Sequence, residues 1–225
     1  MRHWTLLNEA PIPGTQKSLS LFKSKDDFHI KLNNGLELMN TRRHGSEDAL
    51  ATLPCAKMKN PDNAHVLVGG LGMGFTLAAA LKAVGPNARV TVAELIPEVV
   101  EWNRGPLGEY SDFPINDPRT QVKPVDVCEL IKDNTATYDV IALDVDNGPE
   151  GLTQSSNTWL YTEEGIHAAR KALRANGVLS YWSIDDDKPF RQRLRACGLQ
   201  VEEKHVFAHG NKGSKNTIWL AYVKP

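Results

Sequence analysis

Cysteine is scarce in this chain: Cys55, Cys128 and Cys197 are three in 225 residues, an odd number set far apart. That excludes a disulfide framework, and no Cys/His group has the spacing of zinc ligands. Neither sign of charge prevails, because 26 basic side chains face 27 acidic ones. A polycationic nucleic-acid binder and an acidic disordered tail are therefore set aside. The opening stretch MRHWTLLNEAPIPG lacks the apolar core of a signal peptide, so the expectation is a reduced, cytoplasmic protein. No Gly-x-Ser-x-Gly elbow and no Gly-Lys-Ser/Thr phosphate loop occur. Charge is also missing locally. From Asn63 to Leu81 there is no Asp, Glu, Lys or Arg, and Gly70 and Gly74 are spaced as in a membrane helix-dimer motif. Gly69, Gly70, Gly72 and Gly74 crowd the middle of that stretch, where each would weaken a helix, so strand, tight turn and helix fit it better than a membrane span.

What remains is average for a globular protein, with 41% hydrophobic and 24% charged residues. One domain with a small appendage is expected, divided as residues 1–60 and 61–225. In the appendage, β-prone runs flank Asn33-Asn34-Gly35 and predict a hairpin, and HGSEDALATL predicts a short helix capped by Ser46 and ended by Pro54. Beyond Pro61, strands and helices alternate. Strands are expected at 65–68, 89–95, 120–125, 138–144, 178–183, 200–208 and 217–223, with helices at 75–84, 97–103, 126–132 and 162–175. This order implies an α/β fold, a mainly parallel sheet with helices on both faces and right-handed crossovers. The Asp-, Asn-, Gly- and Pro-rich loop from Val145 to Thr158 has a length that is uncommon unless the loop binds or catalyses.

In such a sheet, ligands lie outside the carboxyl ends of the strands. The residues found there are the glycine turn with Gly70, Gly72, Met73 and Gly74, then Glu94 with Leu95, Asp126 with Val127, and finally Asp144, Asp146 and Asn147. Glu94 stands 22 residues beyond Gly72, a distance suited to accepting hydrogen bonds from both ribose hydroxyls, and Asp126 is placed to accept from an adenine amino group. Phe75 stands where a dinucleotide fingerprint wants its last glycine, which disfavours nicotinamide and flavin cofactors. A mononucleoside without a pyrophosphate fits better. Asp144, ending the most apolar strand, is the candidate base, weighed against a plain turn-capping carboxylate. Asp146 or Asn147 would orient an acceptor, with Trp159, Tyr161 and Trp182 as its walls. His209 with Lys212 and Lys215 reads as a solvated turn.

The segments VLVGGLGMGFTLAAAL, VTVAELIPEVVEWN, DPRTQVKPVDVCELI, YDVIALDVDNGPEG and LYTEEGIHAARKALRANGVLSYWS resemble the Rossmann-like domain of spermidine synthases, over roughly Val66 to Ser183. These are the aminopropyltransferase branch of the S-adenosylmethionine-dependent, methyltransferase-fold superfamily. The resemblance implies a seven-stranded sheet whose last strand, 217–223, inserts antiparallel. It places the family's glycine turn on Gly70 to Phe75, its ribose-binding acid on Glu94, its adenine-reading Asp on Asp126 and its active-site loop on Asp144 to Gly148. His44 and Glu47 fall near a family motif that faces the cofactor. Two positions depart from the pattern. Met73 replaces an Asp that helps hold the cofactor's amino tail, and Asn147 replaces an Asp that grips a diamine. The implied cofactor is S-adenosylmethionine or its decarboxylated form, with a small, amine acceptor, no metal, no nucleic acid, no membrane and a homodimer as the assembly. Methyl transfer is slightly favoured because of Met73, with aminopropyl transfer as the alternative. A nucleoside-binding protein without catalysis is the second alternative.

Overall fold

Short runs of apolar residues in the first forty positions build an antiparallel meander of four strands, β1 (Thr5–Pro11), β2 (Ser18–Ser24), β3 (Asp27–Leu32) and β4 (Glu37–Asn40). The computed structural model describes the backbone of residues 3–145, 155–183, 187–209 and 212–223, with the side chains of all of these except 155, 156, 209 and 212–214. The expected hairpin is the β3–β4 pair, closed by Asn33-Asn34-Gly35. The appendage is larger than that one hairpin. Strand β1 gave little signal because its leucines, Leu6 and Leu7, are exposed and only Ala10 is buried, so no inward alternation marks it.

After the meander, α1 (Gly45–Cys55) leads into a seven-stranded sheet made of β5 (His65–Gly69), β6 (Arg89–Ala93), β7 (Thr120–Lys123), β8 (Tyr138–Leu143), β9 (Leu173–Ser183), β10 (Leu199–His209) and β11 (Lys212–Val223). Its order is β10-β11-β9-β8-β5-β6-β7. The pairs among β5 to β9 are parallel, whereas β11 enters antiparallel between β9 and β10, as the family resemblance implies. The strand order reverses at β5 and β8, so a crevice opens between their carboxyl ends.

Helices cover both faces. On one side α1, α2 (Phe75–Ala83) and α3 (Pro97–Arg104) bury Leu50, Leu77 and Val99, followed by the single turn α4 (Gly108–Ser111). On the other, α5 (Val127–Asp133), α6 (Glu163–Ala172) and α7 (Lys188–Ala196) bury Ile131, Ile166 and Phe190. Helix α7 is absent from the sequence reading. Its signals were nonetheless local: Asp187 accepts the Phe190 N–H at 2.8 Å, Pro189 stands in the first turn, and Phe190 and Leu194, four apart, face inward. Among the described residues no helix is long and apolar enough to cross a membrane.

Helix α1 differs from its expected form at both ends. His44, not Ser46, precedes the first helical residue, and Pro54 lies inside the last turn. Ser46 sits in the first turn instead, donating to Glu47 Oε2 at 2.6 Å and accepting from Asn216 Nδ2 of β11 at 3.1 Å. Pro54 has no N–H to give Leu50, so the Leu50 carbonyl is free to accept from outside the helix. The buried Ser180 hydroxyl of β9 takes that place at 3.0 Å. Gly45 presses against β10, where a Cβ would come within 2.8 Å of the Phe207 carbonyl oxygen. Although its residues fall in the 1–60 segment, α1 packs on α2, β9, β10 and β11.

Candidate active site

The crevice begins where β5 runs out. Gly70 has φ +88°, and a Cβ there would lie 2.3 Å from the Asp144 carbonyl oxygen, so only glycine lets the turn pass the end of β8. The turn then delivers Gly74 as the residue before α2. A cleft of about 720 Å³, open solvent included, runs over it. Gly70, Gly72, Glu94, Leu95, Asp126 and Val127 form its floor, and Asp144 its far wall. Its roof comes from the meander, through Ile12, Leu19, Ile30, Leu38 and Met39. Of the expected cofactor contacts, Gly70, Gly72, Glu94, Leu95, Asp126, Val127 and Asp144 line this cleft, whereas Met73 and Gly74 do not; the roof residues carried no signal beyond hydrophobicity.

Glu94 is held by backbone. Its Oε2 accepts from Leu71 N–H at 3.0 Å and its Oε1 from Ile96 N–H at 2.8 Å. Burial pushes its carboxyl above the ordinary range, and the N–H groups of Ile96, Leu71, Gly72 and Leu95 pull it back. Asp126 has a structural task beside its expected place at the cleft. Its Oδ1 caps α5 by accepting from Cys128 N–H at 2.8 Å, and the residue still lines the cleft.

Past Asp144 the cleft continues into a second chamber of about 600 Å³, lined by Leu38, Met39, Leu71, Met73, Phe75 and Trp182 with two carboxylates, Glu47 and Asp144. Asp144 Oδ2 accepts from the Thr76 hydroxyl at 2.7 Å, and the same hydroxyl lies 3.3 Å from the Glu47 carbonyl oxygen. Burial raises the Asp144 carboxyl to about 6. Glu47 rises to about 7, first through burial and then through the charge of Asp144, against the Ser46 hydroxyl and His44. Two carboxylates in one apolar chamber share a proton more readily than both ionise. Thr76 carries only a faint signal in the sequence. It is the one hydroxyl among the apolar residues that open α2, directly after the glycine turn.

His44 and Glu47 part company. Glu47 enters the chamber, whereas the His44 ring stacks on Phe75 at 4.1 Å and its Nδ1 meets Asp48 at 2.8 Å. That bond to Asp48 raises the imidazole above its usual value. Of the expected aromatic walls, Trp182 lines the chamber. Tyr161 does not. It is packed in a core cluster with Tyr181 and Phe190, at 5.5 and 5.0 Å between ring centres, because the inward side of the 3₁₀ turn before α6 faces the sheet rather than the cleft. Trp159 carries Lys132 over its ring at 4.3 Å and lines neither chamber. Asp146 and Asn147 lie outside the described residues, as do the His209 and Lys212 side chains. Among the described residues no three of His, Cys, Asp and Glu come together as a metal site.

The chain is similar to known proteins in sequence and in fold. The chain spans 84% of its own length in a match, 25% identical over 205 residues, to the polyamine aminopropyltransferase of Oceanobacillus iheyensis, and covers 37% of that protein. Polyamine aminopropyltransferase 1 of Hyperthermus butylicus is 34% identical over 125 residues, 53% of this chain and 41% of the relative. The chain thus spans about two fifths of these curated relatives. In fold, it superposes on a spermidine synthase from Thermotoga maritima with a TM-score of 0.75 at 20% identity, covering 96% of this chain and 72% of that one. A second spermidine synthase structure, in complex with the transition-state analogue AdoDATO, gives 0.74. The domain described as Spermine/spermidine synthase domain matches residues 44–213, a span that starts just before α1 and takes in the glycine turn, Glu94, Asp126, Asp144 and Glu47. With that match over most of its length, the chain belongs to the spermine/spermidine synthase family.

Proposed function

We propose that this chain transfers an aminopropyl group from decarboxylated S-adenosylmethionine to a small amine. The observation that carries the reading is the charge of the cleft. Glu47, Glu94, Asp126 and Asp144 line its two chambers, and no Lys, Arg or His does among the described residues. Intact S-adenosylmethionine would bring its carboxylate among acids, with no cation among the described lining residues to receive it. A donor that ends in an ammonium, and an amine acceptor, both find carboxylates there. The slight preference for methyl transfer rested on the loss of one carboxylate at Met73, and it gives way because the same chamber keeps Glu47 and Asp144. The names of the curated relatives support the same choice.

The donor supplies a propyl carbon made reactive by an adjacent sulfonium. The amine nitrogen bonds to that carbon as the carbon–sulfur bond breaks, the electron pair stays on sulfur, and a neutral thioether, methylthioadenosine, leaves. The chain's part is alignment and proton removal. Glu94 and Asp126 fix the nucleoside. Asp144, held by Thr76, takes the proton that the acceptor ammonium must lose before it can attack. A carboxyl raised to about 6 is a stronger base than an exposed aspartate and still mostly ionised at neutral pH. Asp146 and Asn147 are candidates to orient the acceptor. The test is product analysis with the purified chain, offered either donor and a mixture of di- and polyamines. Methylthioadenosine, formed only from the decarboxylated donor and only when amine is present, is the expected result. S-adenosylhomocysteine as product would restore methyl transfer, and no turnover despite binding would leave a nucleoside-binding protein.

A further inference from the structure

The loop residues after the parallel strands account for Asp144, but not for the second carboxylate in its chamber. Glu47 comes from α1, on the far side of the glycine turn. We infer that Glu47 is the residue that receives the terminal ammonium of the donor's propyl arm, so that donor selectivity is set from α1 and not from the glycine turn. This rests on the proposed aminopropyl donor.

Three observations lead there. The chamber beyond Asp144 has walls of the kind that suit a short alkyl chain, with Leu71, Met73, Phe75 and Trp182 around it. Met73 belongs to the glycine turn and offers only a thioether, a weak acceptor with no charge. Glu47 is the one carboxylate of this chamber not also shared with the nucleoside end, since Asp144 lines both parts and Glu47 only this one.

The surroundings of Glu47 leave it short of positive charge. Ser46 donates to its Oε2. Its charged neighbours are Asp144, at the end of β8, and His44, at the start of its own helix, which is already engaged with Asp48. Helix α2 presents Thr76 and Phe75, and β9 presents Trp182, none of them charged. Burial and Asp144 keep a proton on Glu47 up to about pH 7 when the chamber is empty. An arriving ammonium replaces that proton as the counter-charge, so binding of the arm releases it.

Methylthioadenosine, which has the nucleoside but no aminopropyl arm, separates the two ends of the cleft. Calorimetric titrations of the full chain with methylthioadenosine and with decarboxylated S-adenosylmethionine at pH 6.5, in two buffers of different ionisation heat, give affinity and proton release together. Wild type binds both and releases protons only with the ammonium-bearing ligand. Glu47→Gln keeps methylthioadenosine affinity within about twofold, loses about tenfold or more for the decarboxylated donor, and releases fewer protons than wild type, only the fraction still held by Asp144. Glu47→Asp, which draws the charge back by one methylene, falls between and stands in if the Gln variant does not fold. Unchanged donor affinity in Glu47→Gln, or an equal loss for both ligands, overturns the inference while leaving the donor reading in place. Failure of wild type to bind the decarboxylated donor overturns both.

Discussion

The two ends of the cleft hold their carboxylates by opposite means. At the proposed nucleoside end Glu94 is buried but gripped by backbone N–H groups of the turn and of the chain after β6. At the proposed amine end Asp144 and Glu47 have a threonine and a serine hydroxyl, respectively, and lie close enough for the charge of Asp144 to act on Glu47. The first arrangement keeps a fixed anion ready for neutral hydroxyls. The second stores an unsatisfied need for positive charge that only a cationic ligand meets. The difference teaches that acidity alone does not define the function of such a cleft, and that what each acid is bonded to decides which ligand it selects.

Substitutions at the two ends should therefore fail in different observables. The largest effect is expected at Asp144→Asn, which should slow turnover about a hundredfold or more while leaving methylthioadenosine affinity near wild type. Near-normal turnover would remove Asp144 as the base. Glu94→Ala should act on affinity instead, weakening methylthioadenosine and the donor alike by about 1.5 to 3 kcal/mol, the worth of hydrogen bonds to a charged acceptor. If its loss fell on the donor alone, the two ends would not be separable as described. The smallest effect is on stability. Asp144 and Glu47 bind protons more tightly folded than unfolded, so the empty protein should lose stability as pH rises from about 3.8 through about 7. After relaxation and water penetration the raised Glu47 costs about 1 to 2 kcal/mol when ionised, so Glu47→Gln should melt about 2 to 8 °C above wild type at pH 8 and by much less at pH 5. Scanning calorimetry at both pH values checks this, and parallel melting curves would mean that the folded chain does not raise Glu47.

The floor of the cleft, the proposed nucleoside end, was legible in the sequence because its residues follow strands directly. Gly70, Gly72, Glu94 and Asp126 each sit where a parallel strand ends, and a parallel sheet brings those ends together whatever the helices do. Glu47 could be noted only by its place near a family motif, since its approach depends on how α1 packs, a matter of long-range contacts such as Asn216 to Ser46. The same limit explains Tyr161. Its position just ahead of a helix was plain, but which side of the turn meets the sheet depends on Tyr181 and Phe190, the latter on a helix that the sequence reading lacks. Pro54 looked like a stop because a proline usually ends a helix, yet its missing N–H concerns only the carbonyl four residues back, and β9 supplies a donor for it.

That borrowed donor bears on how the protein can vary. Because Leu50 takes its hydrogen bond from Ser180, the last turns of α1 are keyed to a particular residue of a central strand, and Glu47 lies one turn earlier on the same rod. The connector between Cys55 and His65 can then lengthen or shorten without sliding the acid along its chamber. The meander before α1 is free to diverge in the same way, changing what roofs the nucleoside while the amine end keeps its register.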